Sequence, residues 1–147
     1  MERLSRLNGW MMRTLQTVPS SHVDFAWRDG ASCLARACDA SGGEITGDQL
    51  KMLISRGERT LIRMVNDEKT EGWGVVRVDP LPNMRVLMIT DLVAPRIGFE
   101  RYFEELKKMA FAIGCSEIRC AAKEAQERLY RTRCGFEPVY QIMGVKV

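Results

Sequence analysis

Three strand-like runs, Thr60–Val65, Gly72–Asp79 and Met84–Leu92, follow one another with only the polar turns Asn66–Thr70 and Pro80–Asn83 between them. Connections this short join antiparallel neighbours, because a parallel crossover needs a dozen residues or more. The middle of the chain is therefore committed to an antiparallel meander, and the segments before and after it must pack on its faces. Within the third run, Arg85-Val86-Leu87-Met88-Ile89 is the most apolar stretch, as suits a central strand covered on both sides.

The flanking segments carry helical spacing instead. Trp27, Ala31, Leu34 and Cys38 predict a helix from Asp24 that stops at Ser41-Gly42-Gly43. Thr46-Gly47-Asp48-Gln49 has the spacing of a capping box, in which the threonine and glutamine side chains satisfy free backbone donors. It opens a second helix with Leu50, Leu53 and Ile54 inward and Gly57 as a left-handed stop. After the meander, a long helix from about Gly98 to Ile113 is expected to bury Phe99 or Tyr102, Phe103, Leu106, Ala110 and Ile113. Glu117–Ala121 reads as a short strand, Glu124–Arg133 as a helix and Phe136–Val147 as the closing strand or strands. At the other end, Met11–Val18 reads as a first strand and Met1–Trp10 as a short helical or frayed extension. The order β-α-α-β-β-β-α-β-α-β predicts an α/β (α+β) fold with a mixed, mostly antiparallel central sheet flanked by helices.

A chain of 147 residues holds one core of ordinary size, so residues 1–147 are expected to form a single domain. Its 46% apolar and 28% charged residues place it among globular chains rather than disordered ones. No apolar run approaches the roughly 20 residues of a membrane span, and charges interrupt Met1–Val18, so a cytoplasmic protein without a membrane partner is expected. Five cysteines without a CxxC pair, and the single histidine His22, predict reduced and mostly buried thiols and no metal site. Arg119, Arg128, Arg131 and Arg133 crowd the last third, as a solvated helix face or as phosphate contacts. Nucleic acid is not expected as a partner: the net charge is only +3 and the arginines are not interleaved with aromatic residues.

Three fragments in Leu92–Phe136 carry a resemblance. Leu92-Val93-Ala94-Pro95 is similar to a strand end L-x-V-x-P, Ala110-Phe111-Ala112-Ile113-Gly114 to a helix end A-x-x-x-G, and Tyr130-Arg131-Thr132-Arg133-Cys134-Gly135-Phe136 to F/L-Y-x-x-x-G-F. In this order and element context they resemble the GNAT superfamily of acyl-CoA N-acyltransferases. The wider layout, with Trp27, Ser41-Gly42-Gly43 and a C-terminal Arg-Leu-Tyr segment, is similar to short GNAT-like proteins of bacteriophages and prophages.

The resemblance implies transfer of an acetyl or other acyl group from acyl-CoA to the amine of a small molecule or protein. It also implies a cofactor cradle of Leu92, Val93, Arg96, Ile97, Gly98, Phe99 and Arg101, where backbone N–H groups and a helix N-terminus meet a pyrophosphate. The family loop is richer in glycine, whereas this chain keeps Gly98 alone and adds Glu100, whose charge opposes a phosphate. The family's general-acid tyrosine falls, counting back from Gly135, on Arg131, with Tyr130 one step earlier. One step turns a helical side chain by about 100°, so Tyr130 faces the site only if the helix end is locally rewound. Asp91, with Glu71 on the neighbouring strand, is the candidate base, and the alternative for both is a strand-end acid. The other functional reading is a GNAT fold without catalysis, serving as a virion component or a module that binds a viral or host protein. C-terminal strands of the family often pair between subunits, so a homo-oligomer is compatible with Val145 and Val147.

Overall fold

The computed structural model describes residues 12–39 and 42–147. The expected extension at Met1–Trp10, Met11 of the first strand and Ser41 of the helix stop lie outside the described residues. Five strands form one sheet in chain order: β1 (Arg13–Val18), β2 (Thr60–Asn66), β3 (Lys69–Leu81), β4 (Met84–Val93) and β5 (Glu117–Cys120). The first four pair antiparallel, and β5 lies parallel to β4 along Val86–Ile89. The mostly antiparallel mixed sheet read from the sequence is the sheet observed.

The meander is tighter than its polar stretches imply. β2 passes to β3 through Asp67 and Glu68, both left-handed at φ 50 and 70. Two such residues give a turn whose twist matches that of the strands it joins. Because the turn is this short, β3 begins at Lys69 and reaches Leu81.

Five helices cover the sheet: α1 (Val23–Arg28), α2 (Leu34–Asp39), α3 (Gly47–Ser55), α4 (Phe99–Ala112) and α5 (Glu124–Cys134), with single 3₁₀ turns at Ser20–His22 and Ala31–Cys33. The one helix expected from Asp24 onward is thus two helices and a 3₁₀ turn. The chain breaks at Gly30, whose φ is 128 and where a Cβ would stand 3.3 Å from the Trp73 indole nitrogen. At this φ, and with the indole this close, a residue with a side chain would be strained. The expected stripe survives the break, since Ala31, Leu34 and Cys38 are all buried. The capping box is present, with Gln49 N–H on Thr46 Oγ1 at 3.2 Å and Thr46 N–H on Gln49 Oε1 at 2.9 Å.

Strand alternation divides the core in two. Leu61, Trp73 and Val75 pack with Val23, Leu34, Leu50 and Ile54 under α1–α3. Ile62, Val76, Leu87 and Ile89 pack with Phe103, Leu106 and Ala110 of α4 on the opposite face. Both Phe99 and Tyr102 are buried, but Ile113 is exposed because it lies beyond the last turn of α4.

The closing strand expected in Phe136–Val147 is absent: residues 135–147 run without regular structure. Phe136 is held by ring contacts with Phe103 at 5.2 Å and Tyr130 at 5.6 Å. Beyond it, residues 137–147 make no backbone hydrogen bond among the described residues. The nearby edge is the four-residue β5, whose Arg119 side chain meets the Tyr140 phenol beside the cavity that both line.

Candidate active site

Three neighbouring features carry the expected site residues: the parting of β4 from β5, the first turn of α4, and the inner face of α5. β4 and β5 are paired only as far as Ile89 and Cys120. Asp91–Val93 stay paired with β3, while their β5-facing edge has no strand opposite among the described residues. The register of β3 against β4 shifts here, with Val76 opposite Ile89 but Val75 opposite Asp91, so Thr90 is the extra residue of a bulge. A bulge reverses side-chain alternation beyond it. Leu92 accordingly packs into the α4 core, as Ile89 does, and Asp91 turns to the α2 face.

Asp91 is 8% exposed at its side chain and fully engaged. Thr90 Oγ1 donates to its Oδ2 at 2.8 Å, the Cys38 thiol lies 3.7 Å from Oδ1, and Arg59 pairs with Oδ2 at 3.6 Å. Burial first, and then the charge of Asp91, push the Cys38 thiol up to about 11. Cys38 is thus a protonated donor at neutral pH and not a nucleophile.

Glu71 sits on a second bulge, between Met64 and Val65 of β2, and is aimed the other way, into α4. Tyr102 Oη donates to its Oε2 at 2.7 Å, Asn66 to its Oε1 at 2.9 Å, and Arg13 Nε lies 3.4 Å from Oε2. Burial pushes this carboxyl up, but the donors and the Arg13 charge outweigh it and hold it below its ordinary value. Burial and the same carboxylate raise Tyr102. Gly72, next along, lets β4 leave the sheet at this point, since a Cβ there would meet the Val93 carbonyl oxygen.

The loop from β4 to α4 runs Ala94-Pro95-Arg96-Ile97-Gly98. Gly98 is left-handed at φ 84 and starts the helix without a side-chain cap among the described residues. The N–H groups of Arg101 and Tyr102 turn back to its carbonyl, which leaves those of Phe99 and Glu100 at the open end of the helix. Glu100 does not stand alone there: Arg133 pairs with it at 3.6 Å and donates to the Arg96 carbonyl at 3.0 Å. Arg101 pairs along its own helix with Glu105 at 3.0 Å. The Arg96 side chain has no acidic partner among the described residues, and Ile97 is exposed. Val93 sits at the rim, about a third exposed.

On α5 the two candidates for a general acid differ in company, although both border the cavity beside that helix. Tyr130 turns inward, its ring 6.3 Å from Phe99 and 5.6 Å from Phe136. Arg131 lies on the outer face, paired with Glu127 at 3.3 Å. The helix end is widened, because the N–H groups of both Gly135 and Phe136 return to the Tyr130 carbonyl. Burial, with Cys120 and Cys134 nearby, raises the Tyr130 phenol, so it keeps its proton through neutral pH. Of the expected residues, Leu92, Gly98, Phe99 and Tyr130 thus gather around the parting and the start of α4, while Arg131 does not. Arg59, Arg133, Asn66 and Tyr102 were not assigned to the site by sequence. Arg133 had a signal as one of the C-terminal arginines suited to phosphate contacts, and Tyr102 as a hydroxyl at a core position that needs a partner once buried.

No group of three or more metal-ligating side chains occurs among the described residues. None of their helices is long and apolar enough to cross a membrane.

No protein-family model matches the chain, and a sequence comparison with curated proteins gives no match. Solved structures do match in fold. A probable acetyltransferase superposes with a TM-score of 0.65 at 14% identity, covering 90% of this chain and 95% of that one. An aminoglycoside acetyltransferase from an uncultured soil metagenomic sample, in complex with trehalose, gives 0.67 at 12%, covering 92% and 97%. An aminoglycoside N-acetyltransferase in complex with CoA gives 0.64 at 12%, covering 92% and 94%. The fold is therefore the GNAT-type acetyltransferase fold. Nothing in these comparisons supports a phage origin, a virion role or a non-catalytic module.

Proposed function

We propose that this chain is an acyl-CoA-dependent N-acyltransferase that acts on an amine by direct attack. The observation that carries the reading is the parting of β4 from β5 beside an uncapped helix start, in a fold shared with acetyltransferases. The residues fit a phosphate-bearing thioester: the N–H groups of Phe99 and Glu100 are open, Arg96 is unpaired among the described residues, and Arg133 counters the charge of Glu100. The thioester, when bound, supplies the activated carbonyl.

The chain's own groups supply the rest. The N–H groups at the start of α4 and Arg96 bind the phosphates, with Arg101 and Ile97 bordering them. The open edge at Leu92 and Val93 offers backbone donors and acceptors to an amide-bearing arm. Tyr130, protonated and half-buried, is the group that gives a proton to the departing thiolate. Asp91 brings a negative charge to the α2 side of the parting, where a water can relay a proton from the amine. Small-molecule amines are the preferred acceptor class, because fold neighbours include aminoglycoside acetyltransferases.

Calorimetric titration of the protein with acetyl-CoA tests the reading. Saturable heat in the micromolar range is expected, and its absence at high micromolar cofactor removes the proposal. With an accepted amine, Tyr130→Phe is expected to lower kcat by about 100-fold or more while cofactor binding stays within a few-fold. An unchanged kcat removes Tyr130 as the acid.

A further inference from the structure

The space where Gly98 lacks a side chain is filled by another residue. A Cβ placed there would overlap Nε and Cζ of Arg13 and stand 2.9 Å from its Cδ. The arginine comes from β1, at the opposite edge of the sheet from β5. Alternation puts it on the same face as Leu15, which packs in the α4 core, so its side chain runs beneath the start of that helix.

Three strands and a helix meet where Arg13 is anchored. Its Nε lies 3.4 Å from Glu71 Oε2 on β3. Asn66 of β2, the register partner of Arg13, donates to the other carboxylate oxygen at 2.9 Å, and Tyr102 of α4 donates to Oε2 at 2.7 Å. The Arg13 side chain is 17% exposed and that of Glu71 22%, so both charges are largely withdrawn from water. Such a pair stabilises a fold little more than apolar packing would. What distinguishes it is a fixed geometry, because each donor is tied to one acceptor.

The first turn of α4 touches this network twice: Gly98 rests on Arg13, and Tyr102 ends on Glu71. The N–H groups of Arg101 and Tyr102 return to the Gly98 carbonyl, so the turn between the two anchors is the one that leaves Phe99 and Glu100 open. Gly98 has no side-chain cap among the described residues, and a glycine at φ 84 has the widest choice of other conformations. Its conformation is therefore set from outside the loop.

Resting on the acyl-CoA reading above, we propose that Arg13 is a positioning residue of the cofactor site: anchored on Glu71, it holds the Gly98 turn so that the Phe99 and Glu100 N–H groups converge on one phosphate. Arg13 acts through the backbone and not as a phosphate ligand, since its charge is already met by Glu71.

Calorimetry with acetyl-CoA on the full chain and two variants tests it. Arg13→Ala empties the space beneath Gly98 and leaves Glu71 with Tyr102 and Asn66. Its dissociation constant should rise about 10-fold or more, as the misaiming of a charge-assisted hydrogen bond implies. Arg13→Lys refills the space with its stem and returns a cation to Glu71, so it should bind within about 3-fold of the parent. A parent that binds no acetyl-CoA removes the acyl-CoA reading and the positioning role with it. If the parent binds, an Arg13→Ala chain that binds as tightly, or an Arg13→Lys chain as weak as Arg13→Ala, overturns the positioning role alone. Should Arg13→Ala fail to fold, the unsubstituted chain decides: the Arg13 Nε–H resonance is expected to shift as acetyl-CoA is added, and a resonance that stays in place overturns the role.

Discussion

Glu71 and Asp91 are carboxylates of one sheet, each next to a bulge, and they end on opposite faces in opposite company. Glu71 is drawn into the α4 side, where a phenol, an amide and a guanidinium all hold it. Asp91 is turned to the α2 side, close to where β4 loses its neighbour, and is held by Arg59, Thr90 and Cys38. One extra residue in a strand reverses its alternation, so the same local device seals one acid into the fold and sets the other beside the candidate site. The difference between the two lies in the strand end each one faces. β3 at Glu71 has β2 beside it and lies past its last pair with β4, Trp73 with Val93, whereas β4 at Asp91 has β3 beside it and lies past its last pair with β5, Ile89 with Cys120.

The strongest way to break this comparison is to remove one of the bulges. Deleting Thr90 should return Asp91 to the α4 core and turn Leu92 away from it, burying a charge and exposing an apolar side chain together. A loss of about 4 kcal/mol or more is expected, read as a fall in the urea midpoint or as loss of a cooperative transition. A variant within about 1 kcal/mol of the parent would mean that the bulge does not set the facing of Asp91.

Tyr102→Phe tests the Glu71 side. It takes away the shortest bond to a mostly buried carboxylate and should cost about 1–3 kcal/mol at neutral pH. The pH dependence sharpens this. Because the folded-state pKa of Glu71 is lowered, its contribution is present above the ordinary value of 4.5 and is lost as pH falls through the folded value. Stability of the parent should therefore drop more steeply below pH 4.5 than that of Tyr102→Phe, and the two should converge in acid. Parallel curves would show that Tyr102 holds Glu71 equally in both protonation states.

The smallest effect is expected at Arg131. Its outward pair with Glu127 is exposed, so Arg131→Ala should change stability by no more than about 0.5 kcal/mol and leave acyl transfer intact. A large loss of activity would place Arg131 in the site after all and set its outward orientation aside.

Much of the architecture was legible because it rests on local rules. The capping box at Thr46 and Gln49 follows from two side chains three residues apart and appears as read. The meander follows from turn lengths, and the buried face of α4 from helical spacing at Phe99, Tyr102, Phe103, Leu106 and Ala110. The errors sit where distant parts meet. The helix breaks at Gly30, which lies against the Trp73 indole 43 positions away, and residues 135–147 add no strand to the sheet beside β5.

Within the candidate site the division is the same. The position of the β4–α4 loop and its single glycine could be read from Leu92 to Glu100. Its electrostatics could not, because Arg133 reaches Glu100 and Arg96 from another helix. Counting back from Gly135 favoured Arg131 over Tyr130, since counting assumes a regular helix to its end. The widened last turn, where two N–H groups share the Tyr130 carbonyl, accompanies the inward placement of Tyr130.

The sequence by itself determined the elements, their order, the antiparallel meander and the faces of helices with regular spacing. These depend on periodicity and on turn chemistry, which act over a few residues. Only the tertiary structure decided which acid faces which side, where β4 parts from β5, and what stands over the start of α4. Bulges have no sequence signature, and ion pairs between elements form only once the sheet has brought their strands and helices together.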